Sequence, residues 1–180
     1  MQAAHHTIWT IGHSTRTIAV FLEMLQAFGI ARVVDVRRFP GSRSYPQFNK
    51  EDLCETLSNN HILYEHIEAL GGRRKTSPAS ENTAWRHPAF RGYADYMQTP
   101  AFADGICRLE QLALTARTAY MCSEAVWWRC HRAMISDVLK ANGWNVQHIM
   151  EVGKATEHPF TAPARIVNGQ LSYKPGITGS

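Results

Sequence analysis

Reactive side chains are concentrated in the segment Cys122–Arg132. Glu124 would serve as a general base, and His131 titrates near neutral pH and would carry a proton. Beside an arginine that binds an anion, such a pair would activate water against a phosphodiester or an N-glycosidic bond. The alternative is that His131 only caps or cross-links a helix.

A second group combines a carboxylate with two arginines in the sequence Asp35-Val-Arg-Arg38. The cations near Asp35 favour its ionised form. Arg37 and Arg38 suit bidentate recognition of a phosphate or a carboxylate. The alternative is a structural ion pair that fixes a loop.

These two groups, with polar residues from the first strand end and from two loops, make up the predicted site. The predicted catalytic residues are Glu124, His131, His13, Asp35 and Cys122. The predicted substrate- or anion-binding residues are Ser14, Arg37, Arg38, Ser42, Arg73, Cys130 and Arg132. No cofactor is predicted, because the chain lacks the Gly-rich fingerprints of dinucleotide-binding and P-loop proteins.

The cysteines allow two other interpretations. Six residues separate Cys122 from Arg129, one more than in cysteine phosphatases. The residues between them, Ala125-Val-Trp-Trp128, are also too bulky for a phosphate cradle made of backbone N–H groups. A zinc site would use Cys122, Cys130 and a histidine, but seven residues separate these cysteines and structural zinc sites favour a shorter spacing. We therefore predict no bound metal.

Aromatic residues are interleaved with the basic ones. Trp127 and Trp128 precede Arg129, and Tyr45 and Phe48 follow the arginine segment. Such residues would either stack on a nucleic-acid base or form part of the core.

The composition indicates a globular chain with an anionic partner. Of its 180 residues, 44% are hydrophobic and only 19% are charged, which excludes a disordered chain. The net charge of +4 is gathered in clusters such as Arg73–Lys75, which suit a phosphate or a nucleic acid unless they are only a solvated surface. The longest apolar stretch, Ile18–Ala31, contains polar residues, so we predict no membrane span. Four cysteines and the absence of signal-peptide features predict a reducing cytoplasm.

Apolar periodicity predicts strands that alternate with helices. Short runs of β-branched and aromatic residues predict five strands, at Ile8–Ile11, Arg32–Arg37, Ile62–Ile67, Thr118–Cys122 and Trp144–Met150. This alternation predicts a three-layer α/β fold with a mainly parallel central sheet of about five strands. Asn168-Gly169 predicts a C-terminal β-hairpin. We expect a single α/β domain over residues 1–164, followed by the hairpin and tail at 165–180.

Ligands of parallel sheets bind outside the carboxyl ends of the strands. Four of the five predicted strands end in, or are followed by, side chains capable of chemistry. We therefore expect one pocket lined by His13, Asp35, Arg37, Glu124 and Arg132.

Several short motifs occur in one order along the chain. They are Thr10-Ile-Gly-His-Ser14, Asp35-Val-Arg-Arg-Phe-Pro40 with Ser42 and Phe48, Leu70-Gly-Gly-Arg73, and Cys122-Ser-Glu124 with Cys130-His-Arg132. Together they resemble the domain-of-unknown-function 488 family, over about residues 7 to 165. The resemblance implies a compact α/β cytoplasmic protein whose marked positions are the aspartate–arginine and cysteine–histidine–arginine segments. It implies no settled activity.

The residues predict a hydrolase or transferase that acts on a nucleotide or a nucleic acid. Its partner would be a phosphate-bearing small molecule or a nucleic acid. The alternatives are a non-catalytic module that binds the same ligands through the same rim, and a metal-dependent protein that uses the cysteines and a histidine.

Overall fold

The computed structural model describes residues 5–176 and shows a mixed α/β fold. A six-stranded, mostly parallel sheet is accompanied by five helices and a C-terminal antiparallel hairpin, which confirms the predicted fold class. The strands are β1 Thr7–Gly12, β2 Arg32–Asp35, β3 Leu63–His66, β4 Thr118–Cys122, β5 Asn145–Glu151, β6 Lys154–Glu157, β7 Arg165–Val167 and β8 Gln170–Ser172. The helices are α1 Ile18–Ala27, α2 Lys50–Asn59, α3 Pro88–Tyr96, α4 Pro100–Thr115 and α5 Arg132–Ala141.

The strand order of the large sheet is β3-β2-β4-β1-β5-β6. Strand β4 lies between β2 and β1 and is parallel to both. Cys122 on β4 lies opposite Gly12 on β1, and Met121 lies opposite Asp35 on β2. The carboxyl ends of these three strands therefore meet at one edge of the sheet.

Local signals set the helix ends. The Thr17 side chain accepts a hydrogen bond from the Val20 N–H at 3.2 Å and caps α1. Gly29, with φ at 62°, follows the end of α1 in the left-handed conformation that glycine adopts at low cost. Asn49 precedes α2, and its Oδ1 accepts from the Ser42 N–H at 2.6 Å. This bond ties the loop after β2 to the start of α2.

Apolar side chains cover both faces of the sheet. On one face, the α1 and α2 residues Phe21, Met24, Leu25, Leu53 and Leu57 pack against the strands. On the other face lie Tyr93 of α3, Ile106 and Leu109 of α4, and Met134, Ile135 and Leu139 of α5. These are the three layers expected from the sequence. No helix within residues 5–176 is long and apolar enough to cross a membrane.

The sheet has one more strand than the sequence predicted. Strand β6 pairs antiparallel with β5 across a turn at Gly153, whose φ is 73°. The β6 residues are exposed or half-buried, so they lack the alternating apolar pattern from which a strand is predicted.

The C-terminal hairpin forms where Asn168-Gly169 predicts it. Both residues have positive φ, 51° and 78°, as the two central residues of a type I′ turn require. Tyr173 follows the hairpin, lies in the core at 4% exposure and donates to the Asp137 carboxylate at 2.7 Å. The domain boundary at residue 164 stays a prediction. Residues 1–4 and 177–180, which the predicted domain and tail include, lie outside the described residues.

Candidate functional site

An open cleft of about 830 Å³ lies at the carboxyl ends of β1, β2 and β4. Most of the predicted site residues line it, namely His13, Ser14, Arg37, Arg38, Ser42, Arg73, Cys122, Glu124, Cys130 and His131. Asp35 and Arg132 do not line it, because both side chains are buried beneath its floor. The catalytic and binding roles of all these residues stay predictions.

Two residues of the cleft have an unusual backbone conformation. Ser14 and Arg73 have φ values of 48° and 59°, in the left-handed region that residues other than glycine rarely adopt. Ser14 is held there by a hydrogen bond from its N–H to the Ser123 carbonyl, at 2.8 Å. Left-handed residues of this kind are concentrated at functional sites.

Asp35 is the anchor of the second strand end. Its carboxylate is fully buried and accepts from Arg37 Nε at 2.9 Å and from Arg37 Nη2 at 2.7 Å. The Tyr64 hydroxyl donates to the same carboxylate at 2.6 Å. Burial, followed by the nearby Asp35 charge, raises the pKa of Tyr64. With both oxygens engaged, the Asp35 carboxylate positions Arg37 and does not line the cleft.

His13 is stacked on Phe48, with the ring centroids 4.3 Å apart, and is neutral at physiological pH. Burial and the neighbouring Arg37 lower its pKa to about 4 against the effect of the Ser14 carbonyl. That carbonyl can only accept, so Nδ1 of His13 carries the proton and donates to it at 2.9 Å. Nε2 then accepts from Arg37 Nη1 at 3.4 Å. This arrangement makes Nε2 of His13 a hydrogen-bond acceptor, and the predicted catalytic role of His13 stays a prediction.

Cys122 and Cys130 are in direct contact at the floor of the cleft, with 2.7 Å between their Sγ atoms. Both are free thiols and are almost fully buried. Burial raises the pKa of Cys122 well above its ordinary value, and the hydrogen bond to Cys130 adds to this. Burial opposes ionisation of Cys130 as well, but the Cys122 hydrogen bond and the charge of Arg132 outweigh it and lower the pKa of Cys130 to about 7. Cys130 is therefore the thiol that ionises first.

His131 is oriented as a partner of Cys130. Its Nε2–H donates to the Val36 carbonyl at 2.9 Å, so Nδ1 holds a lone pair. Nδ1 faces the Cys130 Sγ at 3.5 Å. Burial lowers the pKa of His131. The neutral ring is placed to accept a proton from the thiol, as a base would.

Arg132 supports the floor from below. It is 1% exposed, and its Nε donates to the Cys122 Sγ at 3.0 Å. Its Nη2 donates to the Glu124 carbonyl at 2.5 Å, which fixes the turn after β4. A Cβ at Gly12 would overlap with that carbonyl, so the strand end requires glycine there. Arg132 thus positions the thiols from below the cleft and does not line it, and its predicted role in anion binding stays a prediction.

A buried chain of hydrogen bonds continues from Arg132 away from the cleft. Arg132 Nη1 donates to Thr10 Oγ1 at 2.9 Å, and that hydroxyl contacts His148 Nδ1 at 2.7 Å. His148 Nε2 contacts His158 Nδ1 at 2.8 Å, and His158 Nε2 contacts Asp137 Oδ1 at 2.8 Å. The Arg132 guanidinium at one end can only donate, and the Asp137 carboxylate at the other end can only accept. Every hydrogen bond of the chain is therefore donated in the direction of Asp137. Burial and the neighbouring His158 lower the pKa of His148 to about 2, so its ring is neutral.

Sequence reasoning missed this chain. Thr10 and His148 are inward-facing residues of strands β1 and β5 and resemble ordinary strand positions. The one signal was their register: once β1 and β5 are paired, Thr10 lies opposite His148.

The lip of the cleft carries cations and exposed aromatic rings. Arg38, Arg73 and Arg129 line it, and within residues 5–176 Glu124 is the only acidic residue that does so. Phe39 and Trp128 are 62% and 52% exposed, unusual for side chains of their size.

The other aromatic residues of the sequence analysis divide between the cleft and the interior. Tyr45 lines the cleft, whereas Phe48 belongs to the core. Trp127 stacks on His148 at 4.5 Å and does not line the cleft.

Within residues 5–176, no group of three or more His, Cys, Asp or Glu side chains is arranged to hold a metal ion. The alternative of a metal-dependent protein therefore has no ligand set in this part of the chain.

Comparison with known proteins gives a family but no characterised relative. Neither a curated protein nor a solved structure matches the chain. The family described as "Domain of unknown function DUF488" matches residues 17–139, which include the aspartate–arginine segment, both floor cysteines and Arg132. Because the match covers more than half of the chain, the protein belongs to the DUF488 family.

Proposed function

We propose that the cleft binds a phosphate group of a nucleotide or of a nucleic acid, and that the protein is a hydrolase or transferase that acts on this ligand. One observation carries the proposal. Three arginines and two exposed aromatic rings surround the lip of one open cleft at the carboxyl ends of parallel strands.

The charges at the lip favour an anion. Arg38 Nη1 donates to the Arg73 carbonyl at 2.9 Å, which ties the loop that carries Arg73 to the end of β2. Arg129 approaches from the segment between β4 and α5. Arginines that converge from separate segments suit the several oxygens of one phosphate, which they bind by charge-assisted hydrogen bonds.

The aromatic rings favour a base beside that phosphate. Phe39 and Trp128 expose most of their surface at the lip, and a flat ring of this kind stacks on any nucleobase. The Arg38 guanidinium lies over the Phe39 ring, 5.3 Å from its centroid, and extends the stacking surface. Stacking requires an unpaired base, so a mononucleotide or a single strand fits the cleft better than a duplex does.

Glu124 is the residue best placed to act as a base. It is exposed at the lip, and no side-chain hydrogen bond or ion pair occupies its carboxylate within residues 5–176. His13 and His131 both have lowered pKa values and are neutral at pH 7, so the acid of the reaction would be water or a group on the substrate.

A specific observation favours the alternative of a non-catalytic binding module. Asp35 is locked in an ion pair below the floor, which leaves Glu124 as the only carboxylate of the predicted site that faces the cleft. A binding module would need the arginines and the aromatic rings but no carboxylate. For either function we propose a location in the reducing cytoplasm, which would keep the four free cysteines as thiols.

Fluorescence anisotropy of labelled oligonucleotides across a salt series tests the binding. We expect a single strand to bind more tightly than a duplex of the same sequence. If Arg129 holds a phosphate, Arg129→Ala should reduce the slope of log affinity against log salt concentration by about one. Trp128→Ala should weaken binding by about 1–3 kcal/mol per stacked base.

Matched surface variants separate these effects from general ones. Arg108→Ala removes the same charge from α4, and Leu114→Ala removes an exposed apolar side chain outside the cleft, so neither should change binding. Turnover of the bound ligand that disappears in Glu124→Gln, with binding retained, would establish an enzyme. No binding of a mononucleotide, single strand or duplex at low salt would refute the proposal.

A further inference from the structure

We propose that Cys130 and Cys122 are the attacking and the resolving thiol of a redox couple that exchanges with low-molecular-weight disulfides entering the cleft. This activity needs neither a nucleotide nor Glu124, so it is independent of the proposed function. It uses the one pair of reactive groups on the cleft floor that phosphate binding leaves unexplained.

The two sulfur atoms are already placed for bond formation. Their separation of 2.7 Å must shorten only a little to reach the disulfide bond length of about 2.05 Å. Cys122 ends β4, and Cys130 lies just before the start of α5. The loop between them leaves the sheet and returns to it, so the contact joins two fixed elements.

The surroundings distinguish the two thiols. The N–H of Arg132 donates to the Cys130 Sγ at 3.4 Å, and His131 Nδ1 faces the same sulfur at 3.5 Å. Cys130 also lies at the positive end of α5, which favours a thiolate. Cys122 contacts the Arg132 Nε but is protonated at neutral pH. Cys130 is thus the nucleophile, and Cys122 lies beside it as the resolving thiol.

The exchange balances in two steps. The Cys130 thiolate attacks one sulfur of a disulfide RS–SR, which forms a Cys130–SR bond and releases RS⁻, and this thiolate takes a proton from solvent. Cys122 then loses its proton to solvent and attacks the Cys130 sulfur. The Cys122–Cys130 bond forms, the Cys130–SR bond breaks, and the second RS⁻ is protonated. The net result is that the protein dithiol is oxidised and one disulfide is reduced to two thiols.

The cleft favours an anionic disulfide. Both cysteines line it, so the open side of the cleft is the route by which a small disulfide would approach them. Arg38, Arg73 and Arg129 surround that entrance and would attract carboxylates. Oxidised glutathione, a small disulfide with several carboxylates, is therefore a suitable probe.

The test follows the mass of the protein after anaerobic incubation with oxidised glutathione and an acid quench. The two exposed cysteines, Cys54 and Cys107, are first replaced by Ser to remove background reaction. In this background the protein should lose two hydrogens and carry no adduct, and peptide mapping should find Cys122 linked to Cys130. The further variant Cys122→Ser should keep a stable glutathione adduct on Cys130. Cys130→Ser should form no adduct over the same time.

Three outcomes would overturn the proposal. An adduct that persists on the protein with both floor cysteines, an adduct on Cys122, or no reaction at all would each refute it. The linked peptide is measured with both floor cysteines present, so this result does not depend on how well the single variants fold. Oligonucleotide binding by the same reduced protein reports on the proposed function separately.

Discussion

The Arg37 guanidinium binds both oxygens of the Asp35 carboxylate, at 2.9 and 2.7 Å, while also donating to the Phe48 carbonyl at 2.8 Å. Asp35 lies beneath the cleft and Arg37 lines it, and both side chains are almost entirely shielded from water. The geometry of the pair joins the end of β2 to the segment that precedes α2. The Asp35–Arg37 pair therefore builds the wall of the cleft, whereas Arg38 of the same motif lines its lip.

Asp35→Asn should lower the free energy of unfolding by about 3–5 kcal/mol, because it leaves the Arg37 charge buried without a counter-ion. Urea denaturation at pH 7 measures this change. Glu65→Gln breaks an exposed pair with Arg108 and should cost less than about 1 kcal/mol. Equal losses in the two variants would contradict the assignment of Asp35 as a structural anchor.

His13 should make the stability of the protein depend on pH between about 4 and 6.5. Its pKa is about 4 in the folded state and near its ordinary value of 6.5 in the unfolded state, so the unfolded state binds more protons in this window. Stability is therefore fully present above pH 6.5 and falls as the pH drops toward 4, by about 3 kcal/mol from this residue alone. The lowered pKa of His148 adds to the loss in the same direction.

Unfolding measured at several pH values in this window checks the sign and the size of the effect. His13→Gln should reduce the dependence, whereas replacement of the exposed His61 by Asn, which tolerates its positive φ, should leave it unchanged. A flat stability profile in the unmodified protein would show that His13 is not buried as described.

Gly12→Ala should destabilise the protein by more than about 3 kcal/mol, above the usual range for overpacking. The added methyl group would overlap with the Glu124 carbonyl and would lie 2.8 Å from the Arg132 Nη2. Gly41→Ala is the matched control at the lip of the same cleft, because its nearest atom would be 3.9 Å away. It should stay within about 0.5 kcal/mol of the unmodified protein. Thermal unfolding of both variants decides the comparison.

Alkylation of Cys130 by iodoacetamide should rise with pH around a midpoint of about 7. The groups that face this thiol are Cys122, Arg132, His131 and Tyr93. Cys122→Ala removes the hydrogen bond that lowers the pKa of Cys130, so the midpoint should move to higher pH. Mass spectrometry of the Cys130 peptide follows the reaction. The exposed Cys54 in the same samples should show no change between the two proteins. An unshifted Cys130 midpoint would contradict the hydrogen bond from Cys122 to Cys130.

Periodicity was enough to predict the layers of this fold and the edge where the cleft lies. Buried strands such as β4 leave a continuous apolar run, and parallel strands bring their carboxyl ends together whatever their order. Strand β6 was not predicted, because its side chains are largely exposed and form no buried face.

Residue type alone could not separate the lining of the cleft from its support. Asp35 and Arg132 have the chemistry of ligand-binding residues, but the structure buries both and satisfies them with protein partners. The contact between Cys122 and Cys130 depends on how the loop between them returns to the sheet, and their spacing in the sequence does not reveal this. Side-chain roles at the site therefore required three-dimensional geometry.

The hydrogen bonds that run from Arg132 to Asp137 connect the thiols at the floor of the cleft to the C-terminal segment of the protein. Asp137 completes its hydrogen bonds with donors from the Thr161 backbone and hydroxyl and from the Tyr173 hydroxyl. When the C-terminal segment opens locally, the Asp137 carboxylate loses those donors. The electrostatic environment of the buried Arg132 charge then changes as well. We therefore expect local opening there to be thermodynamically coupled to thiol ionisation at the floor. Amide exchange around Tyr173 should respond when Cys130 is alkylated.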